Sequence, residues 1–141
     1  MVWVDYGYGG SGSGVFGRRY DAAGAPRGGE FRVNSYTTDD QSIPVVASDP
    51  SGNFVVVWQS RDQDGSYDTF GQRYDARGVP AAGEFRLNTF TTNLQQHPSV
   101  ASDGAGNFVA TWTGYVQDGD ASGIFAQRFI PEVIFRDGFE P

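Results

Sequence analysis

The stretch that decides the fold is GNFVVVW at residues 52–58, and it returns as GNFVATW at residues 106–112. Every position from Phe54 to Trp58 is apolar, so a strand formed here needs burial on both of its faces. The three tryptophans of the chain, Trp3, Trp58 and Trp112, lie 55 and 54 residues apart. They occupy one repeated position, and the sequence therefore predicts a tandem repeat of about 54 residues.

Three further units repeat with the same spacing. The first follows each tryptophan and reads VFGRRYD at residues 15–21, TFGQRYD at 69–75 and IFAQRF at 124–129. The second reads GEFRVN at 29–34 and GEFRLN at 83–88, and the third reads PVVASD at 44–49 and PSVASD at 98–103. Each full period thus holds four strand-like runs, which we name strand A (PxVA), strand B (FVxxW), strand C (FxxRY or FxxRF) and strand D (EFR).

Turn residues separate these runs. Ser-Gly-Asn or Ala-Gly-Asn lies between strands A and B, and Ala-Ala-Gly-Ala-Pro or Ala-Arg-Gly-Val-Pro lies between strands C and D. Because glycine accepts a positive φ and proline fixes its own φ, these segments predict hairpin loops. Four antiparallel strands in about 40 to 55 residues match the size of a β-propeller blade. We therefore predict an all-β chain of about 2.5 to 3 propeller-type blades, with a β-sandwich as the alternative.

The repeats are expected to form a single domain at residues 1–130, with copies at about 1–43, 44–97 and 98–130 and a tail at 131–141. The first copy begins at strand B and the third ends after strand C, whereas a closed propeller needs about four blades or more. An open end would leave a strand edge and an apolar face in water. We therefore expect a homo-oligomer with head-to-tail contacts, either a ring or a filament. The apolar run Val133, Ile134 and Phe135 of the tail is expected to pack as a strand or a buried segment, either on its own blade or on a neighbouring subunit.

Composition excludes several classes of protein. Seventeen Asp and Glu against ten Arg give a net charge of −7 and a pI near 4.4, so nucleic acid is not an expected partner. No apolar run approaches the length of a membrane span, so membrane insertion is not expected either. The chain has no cysteine, which excludes disulfides, thiolate metal sites and cysteine nucleophiles.

A longer pattern runs through the chain: FVVxWxSxxQDG, then IFxQRYDxxGxP, then GEFxVNTxTTxxQ. It resembles a tandem repeat of large secreted and surface proteins of bacteria, whose copies are taken to form propeller-like blades. Residues 52–95 follow the pattern nearly throughout, whereas the loop after Trp3 departs from it. The resemblance implies an extracellular or cell-surface location in a bacterium, and it offers no catalytic residue.

No catalytic motif stands out from the residues themselves. His97 is the one histidine and corresponds to Ile43 in the preceding copy, so we expect it to be a surface or turn residue. A nucleophile elbow, a zinc-binding HExxH and a phosphate loop are all absent. We predict a non-catalytic structural or binding module. The alternatives are a glycan-binding lectin with one shallow site per blade and a fragment of a secreted enzyme.

The loops between strands B and C are acidic. Alternating carboxylates and glycines in a tight loop present several oxygens to a hard cation, so calcium is the one cofactor that these loops suggest. The alternative is that the Asp side chains only cap the backbone of a turn. The candidate ligands are Asp62, Asp64 and Asp68 in the second copy and Asp118 and Asp120 in the third.

Tyrosines in the same connections are candidate ligand contacts. Aromatic rings beside carboxylates suit the apolar face and the hydroxyl groups of a glycan. The tryptophans are instead expected to be core anchors. The arginines of strand C, which are Arg19, Arg73 and Arg128, are expected to be structural, stacking or bridging to Glu30 or Glu84 of a neighbouring copy. The candidate contacts, all on one rim of the predicted blades, are Tyr6, Tyr8, Tyr67 and Tyr115.

Overall fold

The structure is a computed structural model, and it describes residues 1–6, 12–61, 66–89, 91, 93–115 and 121–129. Within these ranges the chain is all-β, as predicted, and has no helix, so no helical segment there is fit to cross a membrane. The strands are β1 (Val2–Tyr6), β2 (Ser13–Gly17), β3 (Phe31–Arg32), β4 (Gln41–Ser48), β5 (Phe54–Arg61), β6 (Tyr67–Tyr74), β7 (Pro80–Arg86), β8 (Gln95–Ser102), β9 (Phe108–Tyr115) and β10 (Ser122–Phe129).

These strands form three antiparallel sheets, each with its strands in chain order. The first sheet is β1-β2-β3, the second is β4-β5-β6-β7, and the third is β8-β9-β10. The second sheet therefore contains strands A, B, C and D of one copy, which confirms the predicted four-stranded antiparallel unit. Among the described residues the first sheet holds strands B, C and D, and the third holds A, B and C.

The second sheet lies between the other two and is covered on both faces. Phe54, Val56 and Trp58 of β5 pack in one core with Val15 and Val33 of the first copy. The alternate residues of β5, Val55 and Val57, pack in a second core with residues of the third sheet such as Phe108 and Trp112. We call the tryptophan side of each sheet its front face and the opposite side its back face. Each front face thus packs on the back face of the preceding sheet.

The tryptophans have the predicted role of core anchors in the second and third sheets. Trp58 is fully buried and Trp112 is 7% exposed. In both copies the indole stacks on the phenylalanine opposite it in strand C, with ring centroids 6.4 Å apart. Trp3 faces away from the second sheet and is only half-buried.

The hairpins use an Asp-x-x-Gly turn. In the A–B hairpin of the second sheet, the Asp49 amide donates to the carbonyl oxygen of Asn53, and the Gly52 amide donates back to Asp49. Gly52 has the predicted positive φ, 91°, and an Asp49 carboxylate oxygen accepts the Asn53 amide at 3.0 Å. An aspartate carboxylate accepts amides within its own turn in the same way at Asp21, Asp75 and Asp103.

Strands β4 and β8 extend further than the sequence pattern of strand A indicates. Each contains a bulge at an X-Pro pair, where Ile43 and His97 have positive φ values of 51° and 55°. Pairing continues beyond the bulge to Gln41 and Gln95, both fully buried. His97 is exposed, as expected, and its amide donates to Oε1 of Gln59 in the neighbouring sheet at 3.0 Å.

Replacing Trp58 with alanine is expected to lower the free energy of unfolding by about 3–5 kcal/mol, because the indole is fully enclosed. Urea denaturation followed by circular dichroism measures the loss. Trp3→Ala is the matched control and should cost clearly less, since Trp3 is only half-buried. Equal losses at the two positions would contradict the two-sided packing described above.

Exchanging the residues at a repeated bulge is expected to change stability in opposite directions. Ala82 has a φ of 67°, whereas its counterpart in the first copy is Gly28, with a φ of 89°. An alanine in this region is strained, so Ala82→Gly should stabilise the fold by about 0.5–1 kcal/mol. Gly28→Ala should destabilise it by conformational strain alone, because an added Cβ meets nothing within 4 Å. Thermal denaturation of both variants is the measurement. A lower melting temperature for Ala82→Gly would show that Ala82 is not strained in the wild type.

Candidate functional site

The predicted ligand-binding tyrosines lie at the B–C end of the sheets. Tyr6 is the last residue of β1 and is 77% exposed, while Tyr67 begins β6 and Tyr115 ends β9, both half-buried. The strand register places them opposite Ser13, Arg61 and Ser122, each at the same end of its own sheet. Tyr8 lies outside the described residues. A ligand-binding role for these tyrosines stays a prediction.

Asp68 is the one predicted calcium ligand that the structure describes, and it is buried inside the fold. Its Oδ1 accepts a hydrogen bond from Nδ2 of Asn88 at 2.7 Å, and Oδ1 of Asn88 accepts from the amide of Thr69 at 2.8 Å. Asp68 thereby connects strand C to the segment that follows strand D.

The other predicted metal ligands and the predicted assembly segment lie outside the described residues. Within the described ranges no group of three or more His, Asp or Glu is arranged to hold a metal ion. Calcium binding stays a prediction, because the other candidate ligands lie outside the described residues, as does the predicted assembly segment. These residues are Asp62, Asp64, Asp118 and Asp120, and Val133, Ile134 and Phe135.

Two clefts open at the opposite end of the sheets, beside the A–B and C–D turns. The first cleft has a volume of about 360 Å³ and lies between the first and second sheets. The second cleft has a volume of about 500 Å³ and lies between the second and third sheets. The first is lined by residues that include Arg18, Arg19, Tyr20, Arg27, Phe31 and Phe54. The second is lined by residues that include Asp49, Arg73, Tyr74, Asp75, Ala81 and Phe108.

The two clefts are the same site in successive copies of the repeat. Six pairs of lining residues are separated by one period of 54 residues, among them Arg19 and Arg73, Tyr20 and Tyr74, and Phe54 and Phe108. Phe54 also lines the second cleft, where its ring stacks on Tyr74 with centroids 4.7 Å apart. A junction between two sheets therefore generates a concave, partly aromatic site, the shape typical of ligand pockets.

Arg19 is held at the junction by the neighbouring sheet. Its guanidinium donates to the carbonyl oxygen of Ala76 at 3.0 Å. The C–D turn of the second sheet leaves room for it at Gly78, where an added Cβ would lie 2.5 Å from Nε of Arg19. Glu84, considered as a partner for these arginines, accepts instead from the amide and hydroxyl of Ser35 at 2.9 and 3.0 Å. Arg19 thus has the predicted structural role, but its partner is the backbone carbonyl of Ala76 and not a carboxylate.

The clefts differ in charge. Three guanidiniums line the first cleft, and no Asp or Glu is found among its described lining residues. The second cleft keeps one arginine, Arg73, and adds Asp49 and Asp75. The amide of Val79 and the guanidinium of Arg77, 2.8 Å away, hold the pKa of Asp75 below its usual range. The lining of the second cleft therefore has two carboxylates and one guanidinium, whereas the lining of the first has three guanidiniums and is basic.

Tyr74 is the most enclosed tyrosine of this region. It is 4% exposed, and burial, aided by the charge of Glu84, raises its pKa to about 12. Its counterpart Tyr20 in the first cleft is 41% exposed. The phenol of the second cleft therefore stays protonated well above the pH at which an ordinary tyrosine ionises.

Comparisons with known proteins do not assign the chain to a family: no family model matches it, and no curated protein is significantly similar to it.

Alkaline pH should unfold the protein partly through Tyr74. Its folded pKa of about 12 lies above the ordinary value of 10.0, so its contribution to stability is complete below pH 10 and declines as pH rises towards 12. Tyr74→Phe should flatten this decline, and Phe129 at the same position of the third copy indicates that the ring alone is accepted. Urea denaturation from pH 9 to 12 is the measurement. Tyr20→Phe is the control, and an identical pH profile for Tyr74→Phe and the wild type would disprove the effect.

Proposed function

We propose that this chain is a non-catalytic structural and binding module of propeller-type blades that associates head to tail with further copies of itself. The extracellular or cell-surface location in a bacterium belongs to the same proposal and rests on the repeat pattern. The observation that carries the proposal is the exposed back face of the third sheet. The residues there correspond to residues that are buried in the second sheet.

Two pairs of equivalent residues make the difference clear. Val55 on the back face of the second sheet is 1% exposed, whereas its counterpart Val109 in the third sheet is 40% exposed. Thr69 is fully buried, whereas its counterpart Ile124 is 75% exposed. At this second position the third sheet has the larger and more apolar side chain, Ile124, although the position is more exposed to solvent than Thr69 is in the second sheet. Covering this face with another front face would remove that apolar surface from water.

The front face of the first sheet has the matching character. Trp3 and Phe16 stand opposite each other there, as Trp58 and Phe70 do on the front face of the second sheet. Both are half-buried, and the guanidinium of Arg32 lies over the Phe16 ring at 5.0 Å from its centroid. Inside the chain, a front face of this kind packs on a back face. The same pairing between chains is heterologous and produces a ring or a filament.

The arrangement of the sheets supports propeller-type blades. Each sheet packs face to face on the next, and β8 contacts both β4 and β5 of the preceding sheet. Strand A of one copy therefore lies beside strand A of the next, as successive blades require around a common axis. Copies that associate in this way would place further sheets against the exposed faces, as a closed propeller of about four blades or more requires.

A lectin-like function, with one shallow site per blade, is the second candidate. The repeated cleft favours it, because each junction between sheets provides a concave site with aromatic and polar side chains. In this version the glycan site lies at the A–B and C–D turns, at the opposite end of the sheets from Tyr6, Tyr67 and Tyr115.

The test of self-association is a charge placed on the exposed back face. Wild-type protein is expected to form oligomers in sedimentation equilibrium, and the double variant Val109→Arg/Ile124→Arg should be a monomer, because two buried charges would oppose the contact. Val79→Arg is the control, since Val79 is 48% exposed on a C–D turn away from both sheet faces. Circular dichroism checks that the variants remain folded.

A wild-type monomer at high micromolar concentration, or an unchanged mass for the double variant, would contradict the proposal. Deleting residues 131–141 tests the tail separately. If Val133, Ile134 and Phe135 take part in assembly, the truncated protein will form oligomers of fewer subunits than the wild type.

A further inference from the structure

The first cleft contains more positive charge than the hydrogen bonds of the fold require. Arg18, Arg19 and Arg27 line it, and they are three of the ten cationic side chains in a chain of net charge −7. Like charges in one cleft repel, and within the described lining no carboxylate offsets them. The nearby carboxylate of Asp21 accepts the amides of Ala23 and Ala25 in its own turn, both at 2.9 Å.

Comparison with the second cleft separates the structural role of position 18 from its charge. Nε of Arg18 donates to the carbonyl oxygen of Gly28 at 3.1 Å. One period later, Nε2 of Gln72 donates to the carbonyl oxygen of Ala82 at 2.9 Å. The two hydrogen bonds join equivalent positions, and a neutral amide makes the second one. The guanidinium of Arg18 also lies over the Tyr20 ring, 6.0 Å from its centroid, but the backbone hydrogen bond at this position needs only a donor.

Position 27 has even less structural demand for a charge. Arg27 is exposed, and within the described part of the chain its guanidinium makes no hydrogen bond or ion pair with protein atoms. Its counterpart in the second cleft is Ala81. Arg19 has its partner in the Ala76 carbonyl, which uses one of the five donors of the guanidinium. The arginines of the first cleft thus retain most of their hydrogen-bonding capacity.

We propose that the first cleft is a binding site for a compact organic anion. Its carboxylate, sulfate or phosphate group is held by Arg18, Arg19 and Arg27, because guanidinium groups bind such oxygens through paired, charge-assisted hydrogen bonds. The body of the ligand lies against the rings of Tyr20, Phe31 and Phe54, which line the same cleft. The volume of about 360 Å³ suits a small molecule such as an acidic sugar. This site does not depend on self-association.

The probes are anions with and without a sugar ring. Isothermal titration calorimetry at low ionic strength is carried out with glucuronate, glucose 6-sulfate, glucose 6-phosphate and glucose, and with inorganic sulfate and phosphate. At least one anion is expected to bind, glucose is not, and added sodium chloride should weaken binding. The ranking of the sugar acids tells a carboxylate ligand from a sulfate or phosphate ligand.

The decisive variant is Arg18→Gln/Arg27→Ala, which gives the first copy the residues found at the equivalent positions of the second copy, Gln72 and Ala81. Because the second copy folds with those residues, the variant should remain folded, with a similar melting temperature. Its affinity for the anion is expected to fall about tenfold or more, given the strength of hydrogen bonds to charged groups.

Arg77→Ala is the matched control. Arg77 is also an exposed arginine on a C–D turn, but it belongs to the second sheet and pairs with Asp75. Its replacement should leave anion binding unchanged. The proposal is overturned if no anion in the set binds, if glucose binds as tightly as its charged derivatives, or if the double variant binds as well as the wild type.

Discussion

The burial of strand B on both of its faces is the constraint on which the rest of the structure depends. Val56 and Val57 are adjacent, point to opposite faces and are both fully buried. A single sheet can bury only one face of such a strand, so each copy needs a preceding and a following sheet. The stability of each unit is then a property of its neighbours as well as of its own residues, as in other repeat proteins. The first and third sheets are the places where this requirement is not fully met, and Val109 and Ile124 show the apolar surface that results.

Much of the fold could be predicted because its signals are local and repeated. The spacing of the tryptophans, the alternation in strand C and the glycines of the hairpins each recur with the same period, and signals that share one period indicate one repeated structural unit. The bulges at Ile43 and His97 could not be found in this way, because a residue before proline is ordinarily extended and a β-branched residue such as Ile43 disfavours a positive φ. The Asp-x-x-Gly turns were present in the sequence, but only the hydrogen bonds reveal that the carboxylate closes the turn.

The candidate site was predictable only in part, because its residues come from different copies. The sequence pattern indicates a ligand site at the B–C loops, with Tyr6, Tyr67 and Tyr115. The clefts form instead where the C–D turn of one sheet meets the A–B turn of the next. Arg19 and Ala76 are 57 residues apart in the chain, and their contact follows from the packing of sheets that the sequence pattern alone does not orient. One signal was available in the sequence: a charged residue in the first copy stands where the second copy has a neutral one, at Arg18 and Gln72 and at Arg27 and Ala81.

Differences between copies therefore separate what the fold requires from what it merely allows. A position occupied by the same residue type in each copy, such as Trp58 and Trp112, is explained by packing. A position where a charged residue replaces a neutral one while the same backbone hydrogen bond is kept, such as Arg18 for Gln72, is not explained by that hydrogen bond. The net charge of −7 does not prevent such a site from attracting an anion, because charges beyond a screening length of about 8 Å are largely masked at physiological ionic strength. What an incoming ligand meets is the local field of the cleft, and in the first cleft that field is set by three guanidiniums.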